Sequence, residues 1–216
     1  MKKSILALAA CVSLVSNISA QDDKSFRLGL QIAPNMGWIA TDEKGIESDG
    51  TRLGFRFGLL GDFQLGSNAN YFFSTGLFMN NMGAKVKSTI TLADSANTVV
   101  ESKGEAKYQY VELPLTIKLK TNEIGYMTYF GQIGFDTGLR TSAKAKAGDG
   151  DFEDISDNSN IIRVALAVGG GVEYNFSGNT SAILGLKYSN AFTSVNDGDG
   201  AKAKLHYFEV TVGALF

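Results

Sequence analysis

The sequence predicts an all-β chain: an eight-stranded antiparallel up-and-down transmembrane β-barrel. Three observations predict it. Eight stretches alternate apolar and polar residues with a period of two, and successive side chains of a strand point to opposite faces. The connections between these stretches alternate long and short. The chain carries 25 glycines and only 2 prolines, which suits strands and tight turns better than helices. A length of 216 residues fits one domain. The formal net charge of −2 gives no support to nucleic-acid binding.

Residues 1–20 read as a secretory leader. Lys2 and Lys3 form a positive start, residues 5–15 are mostly apolar, and small residues lead to Ala20, after which cleavage is expected. The apolar stretch is broken by Cys11 and Ser13 and is short for a membrane span. Leu8-Ala9-Ala10-Cys11 resembles a lipoprotein cleavage box, but cleavage there would leave almost no apolar region, so Cys11 reads as an ordinary leader residue. The mature domain, residues 21–216, then has no cysteine, which excludes disulfides, thiol catalysis and cysteine-based metal sites.

The elements follow in order. The first strand sets Phe26, Leu28, Leu30, Ile32, Pro34, Met36 and Trp38 on one face and Arg27, Gln31 and Asn35 on the other. A polar loop, residues 41–51, leads to a second strand over 52–65, with Leu53, Phe55, Phe57, Leu59 and Phe63 against Arg52, Arg56 and Asp62. A short Gly-Ser-Asn turn precedes the less regular third strand, 71–82. Residues 83–105 form a long polar connection in which Val86, Ile90 and Leu92 alternate, so the hairpin is expected to continue above the barrel. The fourth strand, 106–120, opposes Val111, Leu113, Leu115 and Ile117 to Tyr108, Tyr110, Glu112 and Lys118. The fifth, 125–143, opposes Tyr129, Ile133, Phe135 and Leu139 to Asp136 and Arg140. An acidic, glycine-rich loop covers 144–160. The sixth strand, 161–176, places Arg163 and Glu173 with small residues; the seventh, 180–192, carries Lys187; a loop covers 193–201; the eighth, 202–216, carries Glu209.

The apolar faces are wide, end in aromatics and recur on every strand, so they are expected to face lipid. Unpaired backbone groups cannot sit in lipid, so an all-β answer must close into a barrel. Short turns on one side and long loops on the other describe an outer-membrane barrel with both termini on the short-turn side. The chain ends on Phe216, in register with Phe208, Val210 and Val212. Outer-membrane barrels resemble this, and the resemblance implies that these four residues form the insertion signal read by the barrel assembly machinery. The competing architecture is a soluble lipocalin-like ligand-binding barrel, also eight-stranded, with its apolar faces turned inward.

Three strands carry a family resemblance. Tyr108-Gln109-Tyr110-Val111-Glu112-Leu113-Pro114-Leu115, Val168-Gly169-Gly170-Gly171-Val172-Glu173-Tyr174 and Leu186-Lys187-Tyr188-Ser189-Asn190-Ala191-Phe192 resemble strands of the PorT-like outer-membrane β-barrel domain of Bacteroidota. In the third, Lys187 and Ala191 depart from the family pattern. The resemblance covers nearly the whole mature chain. It implies a barrel and no particular activity; one branch of the family is implicated in type IX protein secretion, and no residue here selects that branch.

The inward-facing charges are the main constellation: Arg27, Arg52, Arg56, Lys118, Arg140, Arg163 and Lys187 against Asp62, Glu112, Asp136, Glu173 and Glu209. Eight strands enclose a lumen just wide enough to fill with side chains, so a paired, packed lumen is expected. Mixed signs fit a plug better than a selective pore; a narrow ion or small-solute channel is the alternative. Pro114 predicts a bulge or bend, because it cannot donate to a ladder. Residues 148–154 and 197–199 resemble loose Ca²⁺ loops without full EF-hand spacing, which favours solvated acidic loops. No helix follows Gly169-Gly170-Gly171, so this is no phosphate loop; its small residues are expected to relieve crowding. His206, the sole histidine, falls on the apolar face and reads as interfacial rather than as a base. The function expected is a non-enzymatic structural or interaction protein in outer-membrane lipid, without cofactor or metal. Protein or glycan partners would bind at residues 41–51, 83–105, 144–160 and 193–201.

Overall fold

The computed structural model describes residues 25–41, 46–91, 99–148, 150–177, 180–196 and 202–216. The leader over residues 1–20, Asp149 and the acidic residues 197–199 lie outside the described residues. Among the described residues the strands are β1 (Phe26–Thr41), β2 (Ile46–Gln64), β3 (Tyr71–Thr91), β4 (Val99–Lys120), β5 (Met127–Ala147), β6 (Glu153–Asp154), β7 (Ile162–Ser177), β8 (Thr180–Ala191) and β9 (Ala203–Leu215). Eight of them pair antiparallel in sequence order, and β9 returns to pair with β1 from Gly29–Leu215 to Thr41–Ala203. That pairing closes the barrel. The two-residue β6 adds to the long-loop end of β5.

The alternation of residue types becomes an alternation of environments. Ile32 is 62% exposed and Leu53 72%, whereas Asp62, Glu112 and Asp136 are fully buried. The apolar faces therefore point outward and the charged faces inward, the reverse of a lipocalin-like barrel. Aromatics gather at both ends of the outer belt, as interfacial anchors do. Trp38 stacks on Tyr188 at a centroid distance of 6.0 Å near the long-loop end. Tyr126, Tyr174 and Phe176 cluster near the short-turn end.

Several strands run longer than the sequence pattern alone defines. β2 begins at Ile46, inside the expected loop, and β3 and β4 remain paired out to Thr91–Val99. β5 runs to Ala147, so residues 144–147 are strand rather than loop. Together these segments form a four-stranded sheet standing above the apolar belt. From Gly83–Lys107 to Thr91–Val99 it rises roughly 25 Å at about 3.3 Å per residue. These segments give a weak periodic signal, because their inner face carries small residues such as Ala84, Ala106 and Ala143 rather than large apolar ones.

Of the bulge or bend expected at Pro114, the bulge is absent. The β4–β5 register runs unbroken through Leu113–Thr137, Pro114–Asp136 and Leu115–Phe135. On the other side the ladder skips from Thr75–Leu115 to Phe78–Glu112 and keeps its register. A missing N–H removes a ladder hydrogen bond without inserting a residue, so no bulge results. The bulge in β4–β5 lies instead at Gln109/Tyr110.

The narrowness of the lumen explains its inward glycines. A Cβ on Gly134 would lie 2.2 Å from Leu115 O, and one on Gly171 would lie 2.2 Å from Leu184 O and 2.8 Å from Phe130 Cζ. Gly171 thus makes room for the Phe130 ring. We expect Gly134→Val to cost on the order of 1–3 kcal/mol by overpacking and to deplete the fast-migrating band of the unboiled protein on a gel. Gly131→Val, at a position with nothing within 4 Å of a Cβ, should leave that band intact.

Candidate functional site

The lumen is stacked in layers. Alternate residues of eight strands point into a space too thin for bulk water, so each buried charge needs a partner. The middle layer joins Arg56, Arg163 and Lys187 to Glu112, Asp136 and Glu209. Arg56 lies 3.2 Å from Glu112 and 3.3 Å from Glu209. Arg163 lies 3.3 Å from Glu112, and Lys187 lies 2.9 Å from Asp136 and 3.3 Å from Glu209. Three cations face three acids. Tyr207 completes the layer, donating its hydroxyl to Asp136 at 2.9 Å. Arg163 also donates to Ser189 Oγ and Leu205 O, and the Arg56 guanidinium sits 3.5 Å from the Phe78 ring centroid.

The second charged layer lies toward the short-turn end. Lys118 contacts Asp62 at 2.6 Å, and Lys120 contacts Glu173 at 2.9 Å. Arg27 reaches Glu173 at 2.9 Å and Ser181 at 2.6 Å. Ser74 donates to Asp62 at 2.6 Å. Leu60, Phe78, Phe130 and Ile183 pack between the two charged layers. The cavity there is about 30 Å³, room for water and for no larger solute. Beyond the second layer, a polar vestibule of about 210 Å³ opens at the short-turn end, lined by Arg27, Lys120, Asn70, Asn122 and Asn175 among others.

The long-loop end is closed by apolar packing. Ile39, Met82, Tyr108, Tyr110, Val195, Leu205 and Tyr207 form one buried cluster, with Ile155 packed against it. Val195 and Ile155 come from loops. Arg140 holds one of those loops in place: its guanidinium donates to the carbonyls of Ser156, Ser159 and Asn160 at 2.8, 3.0 and 3.1 Å. A short 3-10 turn, Ser156–Asn158, supplies the first of them.

Ten of the twelve charges read from the sequence fall in the two layers: Arg27, Arg56, Asp62, Glu112, Lys118, Asp136, Arg163, Glu173, Lys187 and Glu209. Arg140 binds loop carbonyls at the rim instead. Arg52 pairs with Glu105 above the belt, because a register irregularity between Thr51 and Phe55 swings it out of line. The guanidinium hydrogen bond holds the Glu105 carboxyl below the usual carboxylate range. Lys120 and Tyr207 belong to the layers and were missing from the sequence-derived set. Of the terminal residues, Val210, Val212 and Phe216 are exposed on the outer belt and Phe208 is partly covered. The N–H of Phe216 donates to Leu28 O at 2.7 Å. His206 also lies on the outer face; its Nδ1 accepts the Ala191 N–H, and its ring lies beside Trp38. Among the described residues no group of three or more His, Cys, Asp or Glu side chains could hold a metal ion.

An apolar outer belt, a closed ladder and a charged, filled lumen define a small integral β-barrel of the bacterial outer membrane. The comparisons agree with that class. The family model described as outer membrane protein beta-barrel domain matches residues 19–162, and the chain belongs to this family. No curated protein matches the chain. Among solved structures it is similar to neisserial surface protein A, with a TM-score of 0.53 and 14% identity over 89% of this chain and 96% of that one. It is also similar to OprG from Pseudomonas aeruginosa (TM-score 0.42, 11% identity, 88% and 95% covered). A third likeness is Ail of Yersinia pestis (TM-score 0.41, 18% identity, 88% and 98% covered). At such identities the first likeness shows the fold alone. The belt sits in outer-membrane lipid, with the long loops outside the cell and the short turns in the periplasm.

We expect Glu112→Ala to be the most damaging single change in the middle layer. It strips a shared partner from two buried guanidinium groups, Arg56 and Arg163, and breaking a buried pair costs about 3–5 kcal/mol. Urea unfolding of the protein in phospholipid vesicles should show that loss, with a smaller one for Glu112→Gln, which keeps the shape and some hydrogen bonding.

Proposed function

We propose that this protein is a non-conducting, non-enzymatic outer-membrane barrel that holds an interaction surface outside the cell. One observation carries the reading: the lumen is filled from the second charged layer to its outer end while a four-stranded sheet projects beyond the membrane. Paired charges of both signs occupy two layers, and an apolar cluster seals the outer end. A selective pore would instead line its path with one sign of charge. The twelve charged residues and Lys120 act as structural supports: most brace the lumen, Arg140 braces the loop that caps it, and Arg52 braces the projecting sheet. The interaction surface comprises the sheet and the loops over residues 41–51, 83–105, 144–160 and 193–201. Its partner is a protein or a glycan.

The absence of catalysis in this reading rests on the surroundings of His206. Its Nδ1 is occupied by a backbone N–H, and its ring faces the aromatic girdle. We further infer that residues 1–20 are removed on export and that Phe208, Val210, Val212 and Phe216 are read by the barrel assembly machinery. The finer affiliation we favour is the PorT-like branch, on the strands that contain Glu112-Leu113-Pro114-Leu115 and Glu173-Tyr174.

Planar-bilayer recording tests the sealed lumen. We expect the purified, heat-modifiable protein to give no unitary conductance steps in 1 M salt, an ionic strength chosen on the order needed to screen fixed charges. Discrete steps that change on neutralising Asp136 or Glu209 would establish the channel alternative.

A further inference from the structure

We propose that the outer face of the β3–β4–β5 sheet, at the top of the apolar belt, binds the phosphate of an anionic outer-leaflet lipid. The proposal stands apart from whether the lumen conducts. It begins with a conflict in the ladder. Lys107 of β4 and Lys144 of β5 are direct cross-strand partners, and like charges in that relation destabilise a sheet. Four residues higher on β4, Lys103 pairs with Lys87 of β3, but each has its own acid: Asp49 at 3.5 Å and Glu101 at 2.7 Å. Lys107 and Lys144 have no acid within ion-pair distance among the described residues.

The nearby acids are committed elsewhere. Glu105 is held by Arg52, with Lys146 at 3.8 Å. Asp154 lies opposite Lys144 on β6, but its carboxylate accepts the Ser156 N–H at 2.8 Å. The Lys107 ammonium rests 3.4 Å from the centroid of Phe152, with Lys146 at 5.3 Å from the same ring. Phe152 under Lys107 and Asp154 across from Lys144 offset the repulsion only in part, since neither lysine has a carboxylate at ion-pair distance among the described residues, and a local rule broken in this way is characteristic of a binding site. An anion between Lys107 and Lys144 would remove the repulsion.

The shape selects a lipid over a free ion. A groove of about 320 Å³ runs from Lys107, Lys144 and Arg52 down past Gln109 to Leu53 and Phe55. Leu53 and Phe55 are among the exposed apolar residues of the belt, so the lower end of the groove meets acyl chains. Gln109, hydrogen-bonded to Asn81 at 3.1 Å and to Thr141 at 3.1 Å, sits at the polar boundary. Cations above, a polar row at the boundary and apolar side chains below match a lipid with a phosphate headgroup. Each cation near an anionic lipid favours it about fivefold, within roughly a Debye length.

Electron spin resonance of lipids at the protein surface tests this. The full protein is reconstituted in phosphatidylcholine vesicles carrying spin-labelled phosphatidic acid or spin-labelled phosphatidylcholine. We expect the protein-bound fraction to prefer phosphatidic acid about threefold or more at low salt. K107Q/K144Q should bring the ratio close to one, while K107R/K144R and the remote K202Q/K204Q should retain it; all three should keep the heat-modifiable band. No preference in the native protein, or equal loss in K202Q/K204Q, would overturn the proposal. So would full displacement by millimolar inorganic phosphate, which would make this a plain anion site. Binding of sucrose octasulfate without any lipid preference would overturn it in favour of a sulfated glycan partner.

Discussion

Backbone N–H and C=O groups have no water to turn to inside a bilayer, and each one left unpaired costs several kcal/mol. The seam between β1 and β9 meets that constraint for this chain. Without it, two unpaired strand edges would face hydrocarbon; with it, the strand number fixes the circumference. Eight strands leave an interior that only side chains can fill. From that width follow the inward glycines, which let neighbouring backbones approach, and the absence of room for a solute larger than water between the charged layers.

The charge pattern is the second consequence of closure. A lumen lined with alternate residues of polar strands will contain ionisable groups, and thin walls of protein and lipid make them costly unless paired. The middle layer balances three cations against three acids, tied together by Tyr207. The periplasmic layer holds Arg27, Lys118 and Lys120 against Asp62 and Glu173, and it lies next to the vestibule where water can screen the excess. Toward the outside the polar contacts give way to an apolar cluster. The gradient runs from wet to dry along the axis, and the dry end is the one sealed by loops.

Much of this was legible in the sequence because a strand has a period of two. Knowing that Leu113, Leu115 and Ile117 face lipid places Glu112 and Lys118 inside without further information. Parity fails where the ladder is irregular or where it ends. Arg52 obeys the inward parity of β2, yet the irregularity between Thr51 and Phe55 takes it to Glu105 outside. Arg140 is inward but so close to the rim that loop carbonyls reach it first. Lys120 continues the parity of Lys118, but its neighbours read as a turn. Val195 and Ile155 carry no periodic signal at all, so the apolar seal became visible only when the loops were folded over the barrel. The lysine pair at the top of the belt depends on the β4–β5 register, and the bulge at Gln109/Tyr110 shifts that register by one residue in a way no single strand reveals.

The central claim is that the apolar faces of these strands meet lipid. The chain has one tryptophan, Trp38, on the outer face near the extracellular boundary, so its fluorescence reports on that claim directly. In vesicles of brominated phosphatidylcholine, we expect strong quenching when the bromines lie near the headgroup and weaker quenching when they lie near the chain ends. No quenching by either brominated lipid would contradict the claim, and protection from aqueous iodide as well would return the apolar faces to the interior.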